Sequence, residues 1–185
     1  MSRLPDLDLD DLTDEQRALY AGLQNRPEIQ AHGLVGPFAT WMQAPAIGAP
    51  LAELGRNLRF AASLPADVTE VAICTTGAFF RSSFELAAHL PLARRAGVDP
   101  AALDRLCAGD DPAFEGDEAA AHAVATELLR DHAISDATFA DASERFGPRG
   151  VTELITTVGF YALNAFLLSG FQIPLAPGMD DPLAG

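Results

Sequence analysis

Two side chains that could transfer a proton lie four residues apart near the middle of the sequence. Glu85 and His89 would share one face of a helix at this spacing. A carboxylate beside an imidazole can orient the ring and stabilise its charged form, which is the minimal equipment for moving a proton near neutral pH. An ion pair on a helix surface has the same spacing and no chemical role, so both interpretations stay open.

A third candidate, Glu70, precedes this pair among apolar neighbours such as Val71, Ala72 and Ile73. Burying a carboxylate in such surroundings is costly unless the group has a partner. Burial also favours the neutral form of a carboxyl group, a useful property in a general acid or base, although a structural hydrogen bond would satisfy it equally. We therefore predict that Glu70 and the Glu85–His89 pair converge into one catalytic group.

Two helices should position these residues. Apolar residues recur at three- and four-residue spacing over 66–80 and again over 82–97, with a short turn between, which favours a helical hairpin. The same criteria predict further helices over 13–24, 51–62, 100–107, 117–131, 136–146 and 151–171. Repeated proline and glycine predict loops and short helical turns over 25–50.

The overall pattern favours an all-α fold in a single domain over 1–185. No segment alternates strictly between apolar and polar residues in the way a half-buried strand does. A length of 185 residues suits one domain with a full core. The acidic leader at 1–12 and the tail at 176–185 are expected to be irregular.

Charge and composition exclude several classes of partner. Twelve arginines and no lysine oppose 26 acidic residues, and the net charge of −14 disfavours nucleic acid. The predicted helices are each interrupted before the roughly 20 apolar residues that a membrane span needs. No basic segment leads into an apolar one at the N-terminus, so a cytoplasmic location is expected. Cys74 and Cys107 are neither a disulfide framework nor a paired metal-ligand spacing, and no metal is predicted.

The central stretch, EVAICTTGAFFRSSFELAAHLPLARRAG over 70–97, resembles the core motif of the carboxymuconolactone decarboxylase and alkyl hydroperoxidase D superfamily. Segments at 135–136, 146–147, 150–155, 159–161 and 171–174 resemble its decarboxylase-like branch, so the similarity covers most of the chain. The resemblance implies an alkyl hydroperoxidase D-like helical bundle that forms homo-oligomers. It also implies catalysis without a metal or an organic cofactor.

The sequence departs from the peroxidase branch of that superfamily at one point. The branch has a glutamate, then a C-x-x-C pair, then a histidine four residues after the second cysteine. Glu70 and His89 match, but Ser82 and Glu85 occupy the cysteine positions, so the dithiol is missing. The resemblance then implies cofactor-independent acid/base chemistry on a small organic acid or lactone. A redox enzyme that uses Cys74 alone and a non-catalytic small-ligand-binding oligomer remain as alternatives.

A set of residues is expected to surround the substrate. Apolar side chains would line the pocket and an arginine would pair with a substrate carboxylate, since guanidinium groups bind carboxylates bidentately. The predicted substrate-binding residues are Ser82, Phe38, Trp41, Phe84 and Arg81, with Arg56 and Arg59 as further candidates for the carboxylate.

Overall fold

A computed structural model of the chain describes residues 2–184, which fold into α-helices with no strand among them. This confirms the predicted all-α fold. A 3-10 turn at Leu9–Asp11 precedes α1 (Asp14–Leu23), α2 (Pro27–His32), α3 (Pro37–Gln43), α4 (Pro45–Phe60), α5 (Ala66–Phe79), α6 (Ser83–Ala96), α7 (Pro100–Ala108), α8 (Gly116–Asp131) and α9 (Asp136–Phe171).

Helix α5 is the centre of the fold. Every residue from Val68 to Gly77 is buried, because α5 packs against α6, α8 and α9. A short turn that includes Arg81 at a φ of 49° joins α5 to α6. Helix α6 ends at Gly97, whose left-handed conformation is the usual helix stop. The predicted hairpin is therefore present, and it carries the three candidate residues.

Two groups of buried apolar side chains meet beside this hairpin. The larger group joins α5, α6, α8 and α9 and includes Leu86 and Leu154. The smaller group joins the N-terminal helices to α5 and α9 and includes Trp41, Ile73 and Tyr161. The candidate site lies where the two groups adjoin, so apolar surroundings isolate it from water on several sides.

Helix α4 is longer than the sequence predicts. It begins at Pro45, not near residue 51, and continues through Pro50. Pro45 occupies the first turn, where its missing amide hydrogen has no partner to lose. Gly48 lets α4 lie directly on α3, since a Cβ there would come 2.4 Å from the carbonyl oxygen of Trp41. Packing between helices thus overrides the tendency of proline to end a helix in this segment. The prediction of loops and short helical turns over 25–50 holds only for the short helices α2 and α3.

Helix α9 joins two segments that the sequence predicts as separate helices. The backbone breaks at Gly147 (φ 63°, ψ 177°), immediately before Pro148. The predicted interruption is real, but it is a kink within one 36-residue element. Among residues 2–184, α9 is the one helix that is long and apolar enough to cross a membrane. The sequence analysis predicted two shorter helices here and no membrane span. In this fold 44% of its apolar window is buried, and a single helix of this kind is weak evidence for a membrane span.

Candidate active site

Glu70 and His89 form a buried hydrogen bond between α5 and α6. The Nδ1 atom of His89 lies 2.7 Å from Oε2 of Glu70, and the two residues are 6% and 8% exposed. The helices approach closely because Gly77 has no side chain, and a Cβ there would come 3.3 Å from the side chain of Leu86. The polar partner that a carboxylate in this apolar helix requires is therefore the imidazole of His89.

Glu85 approaches the other nitrogen of the same ring. Its Oε2 lies 3.8 Å from Nε2 of His89, and its Oε1 is buried without a hydrogen-bond partner. The pKa of Glu85 is raised to about 7, mainly by burial; the charges of His89 and Arg59 oppose the rise, and the negative charge of Glu70 adds to it. Glu85 therefore carries a proton at mildly acidic pH, where an exposed glutamate is ionised.

The hydrogen bond to Glu70 determines which nitrogen of His89 is available for chemistry. A carboxylate oxygen accepts hydrogen bonds, so Nδ1 of His89 donates its hydrogen to Glu70. In the neutral ring the lone pair then lies on Nε2, which faces Glu85. A base and an acid thus face each other across a gap that is too long for a hydrogen bond. A reacting atom could contact both.

Helix α9 contributes two polar residues that the sequence analysis did not single out. The ring of Tyr161 stands edge-on to the ring of His89, with centroids 5.0 Å apart. Burial raises the pKa of Tyr161 well above its usual value, and the charge of Glu85 adds to the effect, so its hydroxyl stays protonated. Asn164, one turn further along α9, is 2% exposed and its Oδ1 has no partner. The available signal was Asn164, an amide within the apolar stretch of α9.

The predicted substrate-binding residues occupy different places. Phe38 and Trp41 are buried in the smaller apolar group, in edge-to-face contact with each other. They connect to the site only through other rings, since Trp41 contacts Phe160 and Phe160 contacts Tyr161. Their observed role is core packing.

Three other predicted residues cluster at the start of α6. The ring of Phe84, the residue before Glu85, lies on Gly36 of the α2–α3 connection. Ser82 is the N-cap residue of α6 but its hydroxyl makes no capping bond. Arg81 is exposed in the preceding turn, where its charge lowers the pKa of Asp181. Of the named arginines, Arg59 is the one whose charge reaches Glu85.

Neither cysteine belongs to the site in a reactive form. Cys74 is 1% exposed, and burial together with the charge of Glu70 raises its pKa well above the usual value. A thiol in this state is a poor nucleophile because little of it is thiolate. Cys107 lies on α7 and is also free. Across residues 2–184 no group of three or more His, Cys, Asp or Glu side chains is arranged to hold a metal ion.

Comparison with known proteins identifies the fold. No family model and no curated protein matches the sequence. The crystal structure of an alkylhydroperoxidase AhpD core, an uncharacterized peroxidase-related protein from Ralstonia eutropha JMP134, matches with a TM-score of 0.75 and 18% identity over 95% of this chain and 93% of that one. An uncharacterized peroxidase-related protein from Silicibacter sp. TM1040 matches with a TM-score of 0.71 and 15% identity, over 96% and 93% of the two chains. These similarities show a shared fold.

Proposed function

We propose that this chain, which has the alkyl hydroperoxidase D-like fold, is a cofactor-independent acid/base enzyme that acts on a small organic acid or lactone. Glu70, Glu85 and His89 are the proposed catalytic residues. The observation that carries the proposal is the arrangement around one buried ring: Glu70 holds Nδ1 at 2.7 Å, and Glu85 faces Nε2 at 3.8 Å. The fixed ring and the neutral acid give the site one proton acceptor and one proton donor.

Decarboxylation is the leading candidate reaction. The bond between the carboxylate and its neighbouring carbon breaks, carbon dioxide leaves, and the electron pair stays on that carbon, delocalised into a conjugated carbonyl. Glu85 then donates its proton to the carbon. The resulting Glu85 carboxylate recovers a proton from solvent through His89, so that one proton is consumed per turnover. An isomerisation would use the same two groups, with His89 removing a proton and Glu85 returning one.

The substitution of the dithiol by Ser82 and Glu85 supports this assignment over a redox function. A thiol-dependent enzyme would need Cys74 to act alone, and the burial and raised pKa of that thiol oppose it. A protein that binds a small ligand without turnover would not require an imidazole held by one carboxylate and faced by another. The comparison structures are named peroxidase-related, and for this chain that name supports an enzyme of the same fold.

We also propose that the protein is a homo-oligomer, as the family resemblance implies. The C-terminal half of α9 leaves an apolar face uncovered, with Phe166 64% and Leu163 38% exposed. A groove of about 510 Å³ runs along this face beside Gly159 and Gly170. Contiguous apolar surface of this kind marks contact sites between proteins.

The experiment that tests the enzymatic proposal begins with a screen. Small carboxylic acids and lactones are tested for thermal stabilisation of the protein at pH 6, and each compound that raises the melting temperature is assayed for carbon dioxide release and for isomerisation. Turnover that disappears in His89→Gln and Glu85→Gln but persists in a variant without cysteines supports the proposal. Turnover that requires Cys74, or stabilising compounds that are never converted, would contradict it.

A further inference from the structure

A groove of about 560 Å³ runs along the surface between α1 and α4. Gln16, at the start of α1, donates to the carbonyl of Met42 just before α4, and Arg26, just past α1, donates to the carbonyl of Ala52 within α4. The two helices therefore run side by side in the same direction. The groove is lined between them by small and apolar residues, namely Ala18, Leu19, Gly22, Leu23, Ala49 and Ala52.

The two ends of this groove carry opposite charge. Glu15 lies at the end where both helices begin, and Arg26 and Arg56 lie at the other end together with Glu53, where the two guanidinium groups leave a net positive charge. Glu15 and Leu23 are separated by about 12 Å along α1, given the rise of an α-helix, and Arg26 lies beyond Leu23. Glu53 also lines the groove and lies exposed on α4, without an ion-pair contact to Arg56 within 4.0 Å. An elongated ligand with one charged end would match this layout.

Neither Arg26 nor Arg56, at the positive end of the groove, forms an ion pair with a carboxylate of residues 2–184. Half-buried Arg26 stacks on the ring of Phe38 at 5.5 Å. Burial lowers the pKa of Arg26, the charge of Glu28 opposes the effect, and the charges of Arg59 and Arg56 add to it. The nearby carboxylate of Glu28 is bound to Arg59 at 3.3 Å. Within residues 2–184, Arg26 and Arg56 have no carboxylate within 4.0 Å. A cationic cluster at the end of an apolar groove, in a chain of net charge −14, attracts an anion locally.

We infer that this groove binds an amphiphilic monocarboxylate such as a medium-chain fatty acid, with its carboxylate on Arg26 and Arg56 and its chain along the apolar floor. A guanidinium group pairs bidentately with a carboxylate, and the small side chains leave room for an alkyl chain. Glu15 repels a second carboxylate at the far end, so a dicarboxylate of the same length is disfavoured. Glu70, Glu85 and His89 do not line this groove, so the inference does not depend on the proposed function.

Calorimetric titration with decanoate, below the concentration at which it forms micelles, tests the inference. Decanoate is expected to bind saturably at one site per chain, and decyltrimethylammonium and decanedioate are expected to bind at least about tenfold more weakly. Arg26→Gln and Arg56→Gln should each weaken decanoate binding about tenfold or more, which corresponds to the loss of one charge-assisted hydrogen bond. Arg17→Gln is the matched control, because Arg17 is on α1, exposed, and paired with Asp14.

Gly22→Leu separates binding from folding. A Cβ at Gly22 meets nothing within 4 Å, and leucine favours helix more than glycine does, so the melting temperature should not fall. The leucine side chain would fill the groove, and decanoate binding should be lost. Unchanged decanoate affinity in Gly22→Leu, in Arg26→Gln and in Arg56→Gln, or equal affinity for the cationic detergent, would overturn the inference. A change of molecular mass in Gly22→Leu would also overturn it, because a second copy of the chain would then occupy the groove.

Discussion

Glu85 and His89 face each other at 3.8 Å between Oε2 and Nε2, one helical turn apart on α6. This separation exceeds the length of a hydrogen bond, so the two groups do not bond to each other and both can contact a substrate. The acid form of Glu85 persists to about neutral pH because burial raises its pKa to about 7. The buried position of Glu85 therefore lowers the stability of the folded protein at pH values where this carboxyl is ionised, and the loss can be measured.

Glu85→Gln should stabilise the protein above pH 7. In the unfolded chain this carboxyl ionises near 4.5 and in the folded chain near 7, so between these values the folded state holds a proton that the unfolded state has released. Stability therefore falls as pH rises through that window, by about 3 kcal/mol in all. Glutamine stays neutral, so the variant should match the wild type near pH 4.5 and exceed it by up to that amount at pH 8.

Urea unfolding at several pH values measures this difference. Glu144→Gln is a suitable control, since Glu144 is exposed on α9. A stability gain in Glu85→Gln that does not vary between pH 4.5 and 8 would show that the Glu85 carboxyl is not buried in its neutral form.

His89→Gln should lower kcat by between about a hundredfold and ten-thousandfold, the range typical of a general acid or base. Glutamine is preferred to alanine here. His89→Ala would leave the Glu70 carboxylate buried without its hydrogen-bond partner and should cost about 1–3 kcal/mol of stability. Kinetics on a substrate from the screen, with circular dichroism to verify folding, provide the measurement; full activity in His89→Gln would exclude a proton-transfer role.

The two cysteines should differ sharply in reactivity. Cys74 is buried with a strongly raised pKa, whereas Cys107 is partly exposed with a pKa raised mainly by partial burial. Iodoacetamide applied to the native protein should modify Cys107 first and leave Cys74 unmodified until the protein is denatured. Peptide mass spectrometry distinguishes the two sites, and rapid native labelling of Cys74 would revive the redox alternative.

Gly36→Ala should destabilise the protein more than Gly33→Ala does. Both glycines have positive φ, 61° and 74°, so both substitutions carry similar backbone strain. Only at Gly36 would the added Cβ collide with the ring of Phe84, at 2.1 Å, whereas the space around Gly33 is open. Thermal unfolding should therefore show a larger loss for Gly36→Ala, and Phe84→Ala in the same chain should recover part of it. Equal losses for the two variants would mean that Phe84 does not rest on Gly36 in solution.

Light scattering should give a mass above that of one chain at micromolar concentration. Phe166→Glu places a charge on the exposed face of α9 and should lower the mass towards that of a monomer. Phe139→Glu is the matched control, because Phe139 is 53% exposed on the part of α9 before the kink. A monomeric wild type, or the same effect from both substitutions, would refute the proposed interface.

The sequence predicts the helical hairpin well because local signals agree there. The apolar spacing of α5, the short turn and the Gly97 stop all favour the same structure, and Glu70 and His89 fall on facing sides of it.

Where the sequence misleads, tertiary packing decides the outcome. The prolines at 45 and 50 indicate irregular structure, yet contact between Gly48 and Trp41 holds that segment as one helix. Tyr161 fits the apolar period of α9 and looks like core, although its ring contacts His89. Contacts between helices determine both results, and the helical periodicity of a single segment does not contain that information.

The burial of the site bears on the fate of individual hydrogen atoms. Glu70, Glu85 and His89 are at most 8% exposed, so a proton taken up there mixes slowly with water. In an isomerisation carried out in D₂O, protium that His89 removes from the substrate would reach a product only by passing to Glu85 before it exchanges with solvent, so retained protium would report that internal transfer. The retained fraction compares the rate of this internal proton transfer with the rate of exchange with solvent.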